Sequence, residues 1–334
     1  MSGIVFSEAS GVNESIYGKS QAPIRMFIEK KGEAFENASI IKSLFMSSPS
    51  KSALEKYTGL TAMNGFEATG ENGAYPVDEM REGNSRVIEN ITWKDSFRIS
   101  REMVDDAKVM DLKKRPANFV NGYYRTREKF GAALFGAAIG GKSEIVYNKA
   151  KTSALCADGK TLFHEKHKAL VKGADQSNIF TDAFSVDALG AMECAMQNFR
   201  GENDDILDVA PDTILIPNVH TLKRAVFAAV GADKDPDTAN NGFNYQFGRW
   251  NIIVWPYLNQ FIENGTLPWI LLDSKYNETY GGAVWQDRTP LEVRSTIDDN
   301  TDANVWRGYA RFNAGFVDWR FAALGGAKTG STLL

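Results

Sequence analysis

Cys156 and the run His164-Glu165-Lys166-His167 place a thiol, two imidazoles and a carboxylate within one short stretch. Ligands of this kind hold zinc, and a bound zinc ion turns water into a nucleophile near neutral pH. Zinc hydrolysis of the His-Glu-x-x-His type needs its imidazoles four apart on a helix, so that both share one face with the glutamate beside the water. Here the histidines are three apart, Lys166 fills the gap, and the stretch between Gly159 and Gly173 has no helical repeat. Beyond Cys156 and His220 there is no further obvious ligand. The spacing argues against catalytic or metal roles for His164 and His167, and a metal-dependent enzyme built on them is the competing reading. The structural expectation is that Phe163 fills a core gap while the histidines cap a loop.

Two other patterns could carry chemistry. Gly136, Gly140, Gly141, Lys142 and Ser143 superficially resemble a phosphate-binding loop, but such a loop follows a strand and opens a helix, whereas this one closes a helical repeat. With three histidines and no nucleophile elbow there is no hydrolase triad. No cofactor, metal or catalytic residue is therefore expected. The remaining pattern is electrostatic. Residues 111–172 hold thirteen Lys or Arg against five acids, in a chain whose formal net charge is −4. Arg125, Arg127 and Lys129 lie on the polar face of a helical repeat. A cluster like this is either a solvated face or a surface for weak, salt-dependent phosphate contact; an acidic chain is not a dedicated nucleic-acid reader.

The elements that must position these residues are legible as periodicities. In residues 182–258, Ser185 can cap a helix over 186–199 that puts Leu189, Met192, Cys194 and Met196 mostly on one face, so Cys194 reads as a buried thiol. An acidic loop over 202–212 leads to the β-branched run 213–216. A second helix, capped by Asn218, follows over 221–230, and then a strand over 252–255. Upstream, alternation from Val87 to Ile99 predicts one long strand, preceded over 58–86 by a glycine-rich hairpin with a polar tip. Such a ribbon is at best marginal alone and needs a partner surface. Pro116 suits the first turn of a helix of about 24 residues ending at Gly140-Gly141. Val305 to Leu324 reads as a closing strand able to pair with 91–99. Residues 1–57 pattern weakly and predict an arm without its own core.

With 334 residues, 43% of them hydrophobic, the chain can bury a large core in two lobes, and no apolar run approaches the length of a membrane span. The N-terminus lacks a secretory signal pattern, which predicts cytosolic synthesis.

Several segments in order carry a resemblance. The run from Val209 through Asn218, then Asn251 to Leu258 and Pro268 to Asp273, is similar to the middle of tailed-bacteriophage major capsid proteins. Ala157 to His167 resembles a loop of Mu-like head subunits, and Ala310 to Arg320 resembles their last strand. The resemblance implies an α+β fold of the Hong Kong 97 type. Its parts would be an N-terminal arm (1–57), an extended β-hairpin loop (58–100), a peripheral domain with a spine helix (101–175 and 286–334) and an axial domain (176–285). It implies a homo-oligomer of pentamers and hexamers forming an icosahedral shell in the virion, made in the host bacterial cytoplasm. Portal, scaffolding and decoration proteins would be partners, double-stranded DNA would be enclosed non-specifically, and no membrane is involved. A nanocompartment shell of the same fold is the alternative within the class. On that reading Gly70, Tyr75 and Arg81 are candidate intersubunit contacts, and Arg125, Arg127 and Lys129 are candidates for a lumen-facing surface near DNA.

Overall fold

The computed structural model describes residues 4–6, 18–60, 68–70, 74–75, 77, 82–106, 109–231, 243–263 and 267–326. Strand β1 (Val5–Phe6) and helix α1 (Gly18–Asn37) are followed by the single turn α2 (Ile41–Leu44) and strands β2 (Met46–Pro49), β3 (Leu54–Leu60), β4 (Glu82–Glu89) and β5 (Ile91–Ile99). Helices α3 (Arg101–Asp105) and α4 (Val109–Ile139) lead to the hairpin β6 (Glu144–Tyr147) and β7 (Ala150–Ser153). Then come α5 (Val186–Gln197), β8 (Thr213–Pro217), α6 (His220–Gly231), β9 (Asn251–Trp255), β10 (Trp269–Leu272) and α7 (Ser274–Tyr280). The chain closes with β11 (Ala283–Asp298), β12 (Ala303–Phe316) and β13 (Ala322–Gly325).

Two sheets organise these elements. In the first, β11 and β12 form a long antiparallel pair; β5 lies beyond β12, and β1 and β2 pair with β11. The closing strand returns to the upstream strand as expected, with Phe312 opposite Ile91 and Asn304 opposite Ile99. Alternation decides its faces: Trp306, Ala310 and Phe312 are buried, whereas Arg307 is exposed. Gly308 shares the buried face, where a β-carbon would strike Phe119 of α4, so glycine there lets helix and sheet approach. The second sheet runs β13, β10, β8, β9, and every residue of β8, β10 and β13 is buried. Near-continuous apolar runs of this kind are what strands covered on both faces require.

The main core spans both sheets and α4, with Phe130, Phe135, Phe45, Trp285, Phe312 and Phe316 interlocked at ring-centroid distances of 5.3 to 6.4 Å. Offset and edge-to-face packing of this type adds to burial itself. A second cluster joins Ile24 and Ile28 of α1 to Phe119, Val120, Tyr124 and Trp306.

Four expectations are corrected. The arm is not merely weakly patterned: Ile24 and Ile28, one turn apart, bury α1 against α4, and Phe35 stacks on Tyr124 at 5.4 Å. The long strand breaks at Asn90, which reverses the parity before it, so Ile88 is buried and Val87 is exposed. Pro116 lies inside a 31-residue α4 rather than in its first turn. The final strand is two, because Asp318 accepts from the Arg320 amide at 3.2 Å in a turn that carries the chain from one sheet to the other.

Candidate assembly interface

The inner half of the β3–β4 ribbon rests on its own subunit, with Ile88 buried beside Val284 and Val317 and the Tyr57 hydroxyl donating to Ser48 Oγ at 3.0 Å. Among the described residues, strands β3 and β4 pair only with each other, from Leu54 opposite Glu89 to Leu60 opposite Glu82. Of the described residues between these strands, Tyr75 is 95% exposed and Gly70 has open space around it. Arg81 lies outside the described residues. At its base a polar knot holds the ribbon to the body. Asn90 donates from Nδ2 to Ser50 Oγ and to the Ser52 carbonyl, both at 2.8 Å. Glu55 accepts from the amides of Lys51 and Ser52 and from Ser50 Oγ, at 2.8 to 3.0 Å. Those donors, the Lys51 amide foremost, hold the Glu55 carboxyl down to about 2. Sequence periodicity read through Asn90 as one polar position among many.

The basic helix face divides on inspection. Arg125 is exposed and Lys129 is half-buried, with its ammonium over the Tyr257 ring at 5.8 Å. Arg127 is corrected: its guanidinium makes two bonds to Asp287 of β11, at 2.8 and 3.1 Å, beneath Trp285 and Phe312. A forked cation flanked by ring faces and matched to a buried carboxylate is internal architecture, with nothing left to offer a phosphate. The neighbouring Glu128, which helical periodicity does not mark, accepts from Ser39 Oγ and the Ile40 amide with one oxygen, and from Trp255 Nε1 with the other. One carboxylate thus ties the arm, the long helix and strand β9 together.

The histidine loop is built as a plug. Phe163 is buried, and His167 stacks on Trp319 at 4.3 Å while its Nδ1 sits 2.6 Å from Asp158 Oδ2. Burial pushes the Asp158 carboxyl up, but His167, the Lys160 amide and Arg320 outweigh it and hold the group below its ordinary value. His164 Nδ1 accepts from the Lys166 amide at 2.9 Å. Burial, with Asp158 and Asp318 nearby, pushes the Cys156 thiol well up. Among the described residues no three His, Cys, Asp or Glu side chains are grouped to hold a metal ion. The acidic loop is tied to the same region, since Glu202 accepts from Arg320 at 2.9 Å. Cys194 is corrected from buried to exposed. Helix α5 turns Leu189, Met192 and Met196 inward together with Glu193, whose carboxylate is paired with Arg249 and accepts from Gln246 Nε2 at 3.0 Å.

A model of the phage capsid protein family matches residues 85–324, most of the chain. The chain belongs to the phage capsid protein family. Its fold is the α+β Hong Kong 97 type, and it is a structural protein of a head shell. Among solved structures, a chain from Mycobacterium phage Patience shares 12% identity over 99% of this chain and 94% of its own, with a TM-score of 0.51. A chain from Mycobacterium phage Adephagia shares 16% identity over 86% and 88%, with a TM-score of 0.47. One from the capsid of Myoviridae phage XM1 shares 12% over 85% and 90%, also at 0.47. A comparison with curated proteins finds no match. In the capsid subunit, the residues that periodicity missed are the buried polar ties. Asn178 shows why: its side chain bonds the Leu162 and Ala322 carbonyls and the His164 amide, three partners far from it in sequence.

Proposed function

We propose that this capsid subunit is the major head protein of a tailed phage or prophage, gathered in pentamers and hexamers of an icosahedral shell around double-stranded DNA. The observation that carries the reading is the β3–β4 ribbon, which among the described residues pairs with no third strand and beyond which Tyr75 is 95% exposed. A ribbon of this kind gains its stability from a surface it lies on, and in a shell of identical subunits that surface belongs to a neighbour. Gly70, Tyr75 and Arg81 would then contact the neighbouring copy. The four-part division is kept with two changes suggested by the sheets: residues 91–99 go with the peripheral sheet, and β13 goes with the axial one. Arg125 and Lys129 stay as candidates for the DNA-facing wall, and Arg127 is withdrawn. On this reading the subunit is a structural protein rather than an enzyme, in keeping with its family. Synthesis in the host cytoplasm and partnership with portal, scaffolding and decoration proteins complete the proposal. Expression of the chain alone, followed by sedimentation and electron microscopy, tests it. Closed shells are expected, and a stable monomer at high concentration overturns the reading.

A further inference from the structure

The desolvated arginines described above are answered by carboxylates, Arg127 by Asp287 and Arg320 by Asp318 and Glu202, at 2.8 to 3.2 Å. Arg86 of β4 is different. It is half-buried, one of its Nη atoms donates to the Ser153 carbonyl at 3.2 Å, and its Nε–H is buried without a partner. Among the described residues no carboxylate pairs with it, and burial pulls its pKa down. A guanidinium drawn out of water without a counter-charge is costly, so its position points to an anion.

Strand alternation places this cation beside a cavity. Arg86 and Ile88 share one face of β4; Ile88 is sealed beside Val284 and Val317, and Arg86, two residues along, reaches across to β7. Between β4, β7 and β12 lies a cavity of about 390 Å³ with a mostly polar lining that includes Arg86, Asn90, Lys151, Thr152 and Asn313. Asn313 Nδ2 donates to the Glu89 carbonyl at 2.6 Å and to Thr152 Oγ1 at 3.2 Å, which leaves the Thr152 hydroxyl proton to donate elsewhere. Lys151 is exposed and holds the exposed Glu144 at 2.8 Å, a surface pair that competes only weakly with a second anion. Glu89 is the acid in the lining; it is exposed, and its side chain leaves β4 on the face opposite to Arg86.

We infer that this cavity binds a free oxyanion of the phosphate class, held by the Arg86 guanidinium, the Lys151 ammonium and the Thr152 hydroxyl. A planar guanidinium beside an ammonium and a hydroxyl is a donor set that suits phosphate oxygens, whereas a cation or an apolar ligand gains nothing from it. Arg86 belongs to the ribbon, Lys151 and Thr152 to the β6–β7 hairpin and Asn313 to the main sheet, so a bound anion staples the root of the ribbon to the body. The site lies within one subunit and stands or falls apart from the shell reading.

The experiment titrates the full-length protein with inorganic phosphate, against sodium chloride at matched ionic strength, and reads binding by calorimetry together with the thermal transition. Wild type should bind one phosphate per chain saturably, and its transition should rise by a few degrees for each tenfold increase in phosphate above the dissociation constant. Sulfate should compete. Arg86→Gln should abolish both the saturable binding and the rise, and Lys151→Gln should weaken binding about tenfold. Equal binding by wild type and Arg86→Gln would mean an adventitious ion only and overturns the site, as does the absence of saturable binding by wild type. Should Arg86→Gln not fold, Lys151→Gln and Thr152→Val decide, and unchanged affinity in both overturns the assignment. An oligonucleotide without a terminal phosphate should not displace the ion; displacement would make the ligand a nucleic-acid backbone and overturns the free-anion assignment.

Discussion

Arg127 and Asp287 illustrate how a charge in a basic run is removed from the surface. The pair is desolvated, bidentate and roofed by rings, so removing one partner strands the other. Arg127→Met should destabilise the unassembled subunit by about 3–5 kcal/mol, the usual range for an uncompensated buried charge. The double change Arg127→Met with Asp287→Leu should recover most of that loss in urea unfolding, because the stranded carboxylate is gone; equal instability of single and double variants would contradict this. Glu55 offers the pH counterpart. Its folded pKa of about 2 lies below the ordinary 4.5. The stabilisation is therefore complete above about pH 4.5 and is lost as pH falls through about 2. Amide exchange at Lys51 and Ser52, corrected for its intrinsic acid dependence, should accelerate in that window, and Glu55→Gln should abolish the pH dependence. An unchanged profile in the variant would show that the carboxylate does not hold the turn.

Among elements, the ribbon and the long helix depend on different support. Helix α4 is stabilised by packing on α1, β5 and β12 within its own subunit, so it should survive outside any assembly. The ribbon is anchored to its own subunit along its inner half, through Asn90, Ser50 and Glu55, through the Tyr57 hydroxyl on Ser48 and through Arg86 on the Ser153 carbonyl. Deleting residues 70–83 should leave a soluble subunit with an unchanged thermal transition that fails to close shells. Normal particles from this deletion would remove the ribbon from assembly.

For the whole molecule, the basic excess of residues 111–172 shrinks once pairing is counted, since Arg127 belongs to the core with Asp287. Arg125→Gln with Lys129→Gln should leave empty-shell assembly unchanged and lower the temperature at which filled heads release DNA. That difference should fade toward ~1 M salt, where the Debye length is about 3 Å. A salt-independent loss would identify the two side chains as structural.

Local periodicity by itself determined the helices expected over 186–199 and 221–230 and found at 186–197 and 220–231, the strands β8 and β9 and the pairing of the closing strand with residues 91–99, because hydrophobic spacing is written directly in the chain. The His164–His167 spacing misses the zinc-hydrolase pattern, and that mismatch is a local property that the sequence alone displays. Periodicity could not say that Asn90 breaks a strand, that Val87 faces outward or that the last strand changes sheets, because each depends on polar partners distant in sequence. The same holds for Cys194, which Glu193 displaced from the interior once Arg249 and Gln246 arrived to satisfy it. A buried polar residue looks like a surface residue until its partner is known, and only the tertiary structure brings the two together.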